Sequence, residues 1–588
     1  MVKDPNNKDF EAEFLEEKTG RYPGDTNFQK WGFDLHPVVA PISAAIVIAF
    51  IIPTLLYSEQ AKGFFNDLQA AISDYAGWFY LLTVNIFLGL ILIFAFSNFG
   101  RIRLGGQNAK PEFSTFAWFA MLLSAGMGIG LMFFSVAEPL MHFSAPPPIF
   151  GEQGGTAAAA ETAMTFTFFH WGLHPWALYA LVGLGLAFFA FNRGLPLTMR
   201  SLFYPLFGER IYGTPGNVID ILAVVADLFG LATSLGFGVL QVGAGLGFLI
   251  PAWPEAGTEG ARIMQIVLLA VITFFATMSV MVGLDGGVRR LSEWNLYLAG
   301  LFLVFVMLVG PTLFIFDTFI QNIGNYIANF PVLSFWTESF GQNLTEEGWQ
   351  DNWTLFYWGW WISWSPFVGM FIARVSKGRT IREFVMGVLI VPSLISFFWL
   401  SVMGGTAFNL QITQNLDIDL ATIATETAPV AMFQMLDNLP LFLPEGLNWL
   451  GQPVVILSAI VAMLLVTIFF VTSSDSGSLV VDNLTSGGKL DSPVTQRVFW
   501  ATMEGVIAAV LLLGGGEDGL TALQTAAIAT GLPFALVLLI MCYSLNQGLN
   551  KELQELEAAE LQAAEAKREE KIAAIMSSRE NARYAQDE

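Results

Sequence analysis

Charge is what this chain has least of. Only 13% of its 588 residues are Asp, Glu, Lys or Arg, against roughly 25% in a soluble chain. The remaining charge collects at the two ends and in short gaps. Between the gaps lie apolar runs of about 20 residues or more, each long enough to cross ~30 Å of hydrocarbon. Cysteine is nearly missing: Cys542 stands alone, which excludes an intramolecular disulfide framework. Four histidines without a Cys/His cluster argue against a structural zinc site. Basic residues are outnumbered, 27 to 49, and a net charge of −22 argues against nucleic acid as a partner. A basic n-region and a small-residue cleavage site are both missing before the first run, near His36. That run therefore reads as a span and not as a cleaved signal peptide.

What is there is a multi-pass pattern of about twelve spans, centred near residues 48, 87, 125, 175, 232, 272, 308, 364, 393, 462, 505 and 532. The fifth and seventh look longer than a bilayer needs, and the mixed stretch at about 328–350 reads as a surface helix. Alternate gaps carry the Lys and Arg: Arg101, Arg103 and Lys110; Arg193, Arg200 and Arg210; Arg289 and Arg290; Arg374, Lys377, Arg379 and Arg382; Lys489 and Arg497. By the positive-inside bias both termini are expected in the cytoplasm. The chain divides into an acidic N-terminal tail (1–35), a membrane domain (36–550) and a C-terminal tail (551–588). Leu553, Leu556 and Leu561 fall near helical spacing, so a solvated amphipathic helix is expected in that last tail.

Function should lie where a span breaks the rules. The third span runs Ser124-Ala125-Gly126-Met127-Gly128-Ile129-Gly130. Glycine weakens a helix by about 1 kcal/mol each, and alternate glycines surround the helix instead of lining one side. An unwound helix with free backbone groups facing a ligand fits this spacing, and so does close helix packing. In the eighth span Tyr357, Trp360, Trp361 and Trp364 recur at i, i+3, i+4 and i+7, which makes one aromatic face. The fourth span adds Trp171, Trp176 and Tyr179 around Pro175. Such faces can be core packing. They are also what a quaternary ammonium group needs, since it has no N–H to donate and is held by cation–π attraction of about 2 kcal/mol when desolvated. The tenth span is expected to end at Phe469-Phe470-Val471-Thr472-Ser473-Ser474-Asp475-Ser476, where Thr472 and Ser473 can bond back to their own helix, or offer oxygens to a hard cation such as sodium. Pro366 and Gly369 are expected to interrupt the eighth span as the glycines interrupt the third, five spans earlier. Paired interruptions of that kind mark the substrate site of inverted-repeat transporters.

The stretches GMGIGLMFFSVAEPL (126–140), HWGLHPWALYALVGL (170–184), SLGFGVLQVGAGL (234–246), WTLFYWGWWISWSPFVGMFIARVSKGRTIREF (353–384) and TSSDSGS (472–478) resemble the betaine/choline/carnitine transporter family. The likeness covers roughly residues 30–550. It implies an all-α membrane protein with a LeuT-like fold, two outer spans preceding inverted five-helix repeats (spans 3–7 and 8–12), and commonly a homotrimer in the inner membrane. It implies import of a small zwitterionic solute of the glycine betaine type. By motif position, Trp171, Trp176, Tyr179 and Trp361 form the cation box, with Trp360 and Trp364 elsewhere on the pathway. Backbone amides around Ala125, Met127 and Gly128 hold the carboxylate. Carbonyls at Ser124, Met127 and Phe469 and the hydroxyls of Thr472 and Ser473 hold sodium as the coupling ion, with no other cofactor.

Gly130 is an Asp in choline-transporting relatives, so glycine here favours zwitterions. Asp227 stands where sodium-coupled relatives carry Thr, and Leu231 where they carry a second hydroxyl residue. Asp227 is thus a possible second ion or proton site, or a satisfied buried acid. The C-terminal tail, led by Glu552, Glu555, Glu557 and Glu560, lacks the strong basic character of osmosensing relatives, so docking to anionic lipid would be weak. Proton symport, or substrate exchange, is the competing carrier reading. A channel would need a continuous polar pore with weak binding. An enzyme would need a mid-membrane Ser/His pair or metal constellation, and none stands out; His170 and His174 read as neighbours of the aromatic residues.

Overall fold

The computed structural model describes residues 21–126, 128–255, 258–282, 289–340, 348–413, 416–441, 445–514 and 519–584. Its main helices are α1 (Val39–Leu56), α2 (Ser58–Phe96), α3 (Thr115–Gly126), α4 (Ile129–Ser144), α5 (Ala157–Trp171), α6 (Leu173–Phe191), α7 (Thr214–Leu249), α8 (Glu259–Val282), α9 (Arg289–Val309) and α10 (Thr312–Phe335). They continue with α11 (Thr354–Val375), α12 (Ile381–Thr413), α13 (Leu420–Glu426), α14 (Ala428–Asp437), α15 (Gly451–Thr485), α16 (Val494–Gly514) and α17 (Gly519–Tyr584). A small hairpin, β1 (Phe28–Lys30) and β2 (Phe33–Leu35), precedes them. Its two-residue turn sets Trp31 and Gly32 at φ 56° and 79°, the left-handed pair that suits a tight hairpin.

Among the described residues, ten helical segments are long and apolar enough to cross a membrane. The protein is all-α and multi-pass. The two further spans of the sequence reading are present as helices and fall short for physical reasons. The third is split into α3 and α4. The eighth, α11, is 22 residues long, but its apolar bulk is indole and its sequence carries Ser and Gly. In the most apolar 18-residue stretches of Ala157–Phe191 and Thr214–Leu249, 89% and 83% of residues are buried, whereas in those of Glu259–Met281 and Leu291–Val309 only 22% are. The first pair therefore lies at the centre of the bundle and the second at its rim.

Four expectations change. The seventh span is not overlong: α9 ends at Val309, and Pro311 precedes a separate helix, α10. The surface helix is that α10, running from Thr312 to Phe335, and not 328–350; residues 341–347 lie outside the described set. The tenth span does not end at Ser476 but continues to Thr485. The eighth span is not interrupted. Pro366 sits inside an unbroken helix and cannot bond the Ile362 carbonyl, which instead accepts the Ser365 hydroxyl at 2.7 Å. Gly369 has a packing role: a Cβ there would lie 2.5 Å from Val182, where α6 and α11 cross.

The long fifth span is as expected, 36 residues in α7. The C-terminal tail is helical and exposed, but α17 runs through residue 551 without a break. Its acids are not idle. Arg193 pairs with Glu552 and Glu555 at 2.8 Å each, and Arg101 with Glu557 and Glu560 at 3.1 Å each. The acidic tail thus lies against two of the basic gaps of its own chain.

Candidate functional site

Two helix breaks build the site. The first falls where the alternate glycines predict it. α3 ends at Gly126, Gly128 is extended (φ −151°, ψ −169°), and α4 begins at Ile129. Met127 lies outside the described residues, as do the side chains of Ser124 and Ala125. The glycines there also serve packing. A Cβ at Gly128 would come 3.7 Å from Trp364, and one at Gly130 would overlap Trp360 and approach Trp171 to 3.1 Å. Unwinding and close packing, which the spacing left open, both hold.

The second break was not foreseen. α5 ends at Trp171, Gly172 takes φ −98° and ψ −133°, and α6 starts at Leu173. Pro175 has no N–H to return to this turn. The loosened backbone finds partners elsewhere: the His170 carbonyl accepts the Trp361 indole N–H at 3.0 Å, and the Leu173 amide donates to the Tyr326 hydroxyl at 3.1 Å. Glycine followed by proline was the signal that could have marked this break.

The sequence-predicted aromatic residues come together between α5, α6 and α11. Trp171 meets Trp361 edge to face at 5.0 Å, and Tyr179 lies 6.4 Å from both Trp361 and Trp364. Trp360 and Trp361 stack at 4.6 Å, and Trp364 lies 6.4 Å from each. Trp176 touches the group through Tyr179, at 5.6 Å. All are buried. Their polar atoms differ. Trp171, Trp360 and Trp361 donate to Glu138, to the Ser234 hydroxyl and to the His170 carbonyl. Tyr179 Oη and Trp364 Nε1 have no hydrogen-bond partner. A buried donor without a partner costs about 1–3 kcal/mol. Two of them beside a set of π faces make a place that suits a ligand carrying both an apolar cation and an anionic group.

Glu138 on α4 was not singled out from sequence. It is fully buried, and it accepts from Trp171 Nε1 at 2.8 Å, Tyr357 Oη at 2.5 Å and His170 Nδ1 at 2.7 Å, with His142 Nε2 at 3.3 Å. An ionisable group at membrane depth was the available signal. Glu138, His142 and His170 are also close enough to one another for a metal ion. Both imidazoles, however, converge on the same oxygen, Oε1, and the other oxygen is taken by Trp171 and Tyr357. This is the arrangement of a hydrogen-bonded clamp. His170 is thus a hydrogen-bonding neighbour of the aromatic residues, as expected, whereas His174 contacts Asn85 at 3.1 Å and packs against Trp358.

For the ion, Phe469 and Thr472 lie one turn apart on α15. The Thr472 hydroxyl donates to the Ile468 carbonyl at 2.9 Å, which leaves its oxygen lone pairs free to meet a cation. Ser473, half-buried, is adjacent. These oxygens fit a hard monovalent ion. Asp227 is fully buried on α7, and neither of its oxygens has a hydrogen-bond partner. The Phe367 amide of α11 faces it.

A family profile described as betaine/carnitine/choline family transporter (BCCT) matches residues 38–554. A glycine betaine/proline/choline transporter of Vibrio parahaemolyticus is 46% identical over 536 residues, covering 89% of this chain and 91% of the relative. Glycine betaine transporter 1 of the same organism is 47% identical over 90% of this chain and 97% of its own length. A glycine betaine transporter of Acinetobacter baylyi is 42% identical over 89% of this chain and 75% of its own length.

Proposed function

Because the chain belongs to the betaine/carnitine/choline transporter family, we propose that it is a secondary active importer of a zwitterionic quaternary-ammonium solute of the glycine betaine type, driven by sodium. One observation carries the substrate class. Tyr179 Oη and Trp364 Nε1 are buried donors without partners, on rings 6.4 Å apart that border the faces of Trp361 and Trp360. The faces attract a methylated cation that cannot hydrogen-bond. The free donors, with backbone amides at the α3–α4 break, suit its carboxylate. Relatives named for glycine betaine agree with this reading.

Sodium would be held by Thr472 and Ser473 with backbone carbonyls of α3 and Phe469. Sodium moving inward down its own gradient from such a site would draw the substrate with it. The protein then works in an inner membrane with both termini in the cytoplasm, as a homotrimer. Choline is the main competing substrate, since two relatives are named for it as well. Gly130 argues for the zwitterion: it leaves no carboxylate beside the ring faces to neutralise a net cation.

The test is uptake of labelled glycine betaine, choline, proline betaine, carnitine, ectoine and dimethylsulfoniopropionate by the purified protein in lipid vesicles, with sodium and pH varied independently. Sodium-dependent glycine betaine uptake is expected. Uptake of choline alone, or uptake indifferent to sodium, would replace this reading.

A further inference from the structure

Two acids in the membrane interior lie outside the aromatic cluster and its Glu138 clamp. Asp227 of α7 and Glu504 of α16 are both 0% exposed. Asp227 has no hydrogen bond to either oxygen, and Glu504 has a free Oε1. Among the described residues, the side-chain hydrogen bond to the pair comes from the Ser474 hydroxyl, 2.8 Å from Glu504 Oε2, and the Phe367 amide faces Asp227. The charged groups that act on Glu504 are themselves acidic, Asp227 and Asp475. An unpaired buried carboxylate costs several kcal/mol, and a second like charge within reach adds to it. At least one of the two must therefore hold a cation or a proton.

Among the described residues, no cation is paired with either acid. α1 has no titratable side chain, and neither does α17 from Gly519 to Met541. On α8 only Glu259 and Arg262 titrate, both in its first turn. On α11 the titratable groups are Tyr357, which serves Glu138, and Arg374, in the last turn. On α15, Asp475 accepts from Ser279 of α8 at 2.9 Å and feels Arg497 at the start of α16. Asp482 accepts from Ser492. On α7 itself, Asp220 is paired with Arg200 at 2.5 Å. α2 brings Glu59, Lys62 and Asp67 in its first turns and Asp74, Tyr75 and Tyr80 further on, the last donating to the Ile528 carbonyl. Among the described residues, the three-ligand group tight enough for a metal ion is Glu138 with His142 and His170, and not these acids.

Position gives the pair a use. Down one face of α7, Ser234 meets the Trp360 indole at 3.2 Å, a Cβ at Gly230 would lie 3.1 Å from the Trp364 amide, and Asp227 faces the Phe367 amide. The steps 234, 230 and 227 on α7 thus match 360, 364 and 367 on α11. Asp227 lies about one turn beyond the aromatic cluster. Glu504 is tied through Ser474 to the stretch that carries Thr472 and Ser473. The two acids join the substrate helix to the ion helix.

We propose that Asp227 and Glu504 form a proton-binding site within the membrane, a carboxyl pair that carries one proton and exchanges it during transport. The inference rests on the transporter reading for its role in the cycle, but not for the existence of the site. Two measurements separate these. Infrared spectroscopy of the purified protein without substrate, titrated in pH, is expected to show a protonated carboxylic C=O band that shifts in frequency or is lost in Asp227→Asn and in Glu504→Gln. A vesicle-entrapped pH dye is then read while labelled glycine betaine enters down a sodium gradient. Wild type should acidify the lumen, and each variant should reduce acidification per substrate at least tenfold. A wild-type band that persists unchanged in both variants overturns the site. Import with no change of lumen pH overturns its use in transport. Direct binding of labelled sodium that either variant abolishes would also overturn it, by making the pair a sodium site.

Discussion

The Trp171 indole donates its N–H to Glu138 across 2.8 Å, and the Tyr357 hydroxyl donates to the same carboxylate oxygen from another helix. One buried side chain on α4 therefore fixes the ring angles of two aromatic residues on α5 and α11. Glu138→Ala would leave those two donors and the His170 ring without an acceptor, at about 1–3 kcal/mol each. We expect glycine betaine affinity, read by quenching of tryptophan fluorescence, to fall at least tenfold, with a lower Tm. Glu138→Gln keeps one acceptor oxygen and should lose less. Equal affinity in all three proteins would show that the clamp does not set the ring positions that matter for binding.

Trp361 shares contacts with Trp171, Tyr179, Trp360 and Trp364. Trp361→Leu should nearly abolish uptake with expression and oligomer size unchanged, and Trp361→Phe should retain more because it keeps a π face. Leucine performing as well as phenylalanine would reduce the residue to packing.

The aromatic cluster was legible because a helix repeats at 3.6 residues. Tyr357, Trp360, Trp361 and Trp364 share a face on α11 by spacing alone, and the structure sets Trp171 and Tyr179 against it. The break after Gly126 was legible for a similar local reason, since three glycines in five residues weaken one helix. Glu138 was harder. Its worth depends on donors from α5 and α11, and those become neighbours only when the bundle closes. Pro366 misled because its missing N–H was counted without the compensating hydroxyl of Ser365. The electrostatic reach between Asp227 and Glu504 is likewise a matter of tertiary packing, since they stand far apart in the chain, on α7 and α16.

Asp351 gives a pH test outside the membrane spans. Burial first, then Glu338, then Asp74, push its carboxyl up to about 6. The fold therefore prefers the neutral acid. The penalty is absent below the unfolded value near ~3.9, grows as pH rises towards about 6, and is complete above that. Asp351→Asn should raise Tm by a few degrees at about pH 7.5, and the gain should shrink to nothing as pH falls to about 4. A gain that does not depend on pH would mean that the substitution acts through packing.

Thr472 donates its proton to Ile468 and keeps its lone pairs. Thr472→Ala or Ser473→Ala should raise the sodium concentration for half-maximal uptake several-fold, because a hard cation loses an oxygen ligand. Substrate affinity at saturating sodium should change little. Sodium curves that superimpose on wild type would remove both residues from the ion site.

Gly130 and Gly128 offer the sharpest contrast between shape and flexibility. Both border the aromatic cluster, and both are glycines of the interrupted span. A methyl group at Gly128 would meet only the Trp364 ring edge, at an ordinary 3.7 Å. A methyl group at Gly130 would overlap the Trp360 ring and press on Trp171 at 3.1 Å. Trp360 cannot retreat freely, because it stacks on Trp361 at 4.6 Å and its N–H is held by Ser234. Overpacking a close-fitted interior typically costs about 1–3 kcal/mol, and here the displaced rings are those proposed to hold substrate. Gly130→Ala should therefore lower glycine betaine affinity about tenfold, and Gly130→Asp further, since it adds a carboxylate that repels the substrate's own. Gly128→Ala should lose affinity only as far as it stiffens the backbone at the break. If Gly130→Ala bound as tightly as wild type while Gly128→Ala lost binding, the site would depend on the freedom of the chain at Gly128 and not on the ring positions above it.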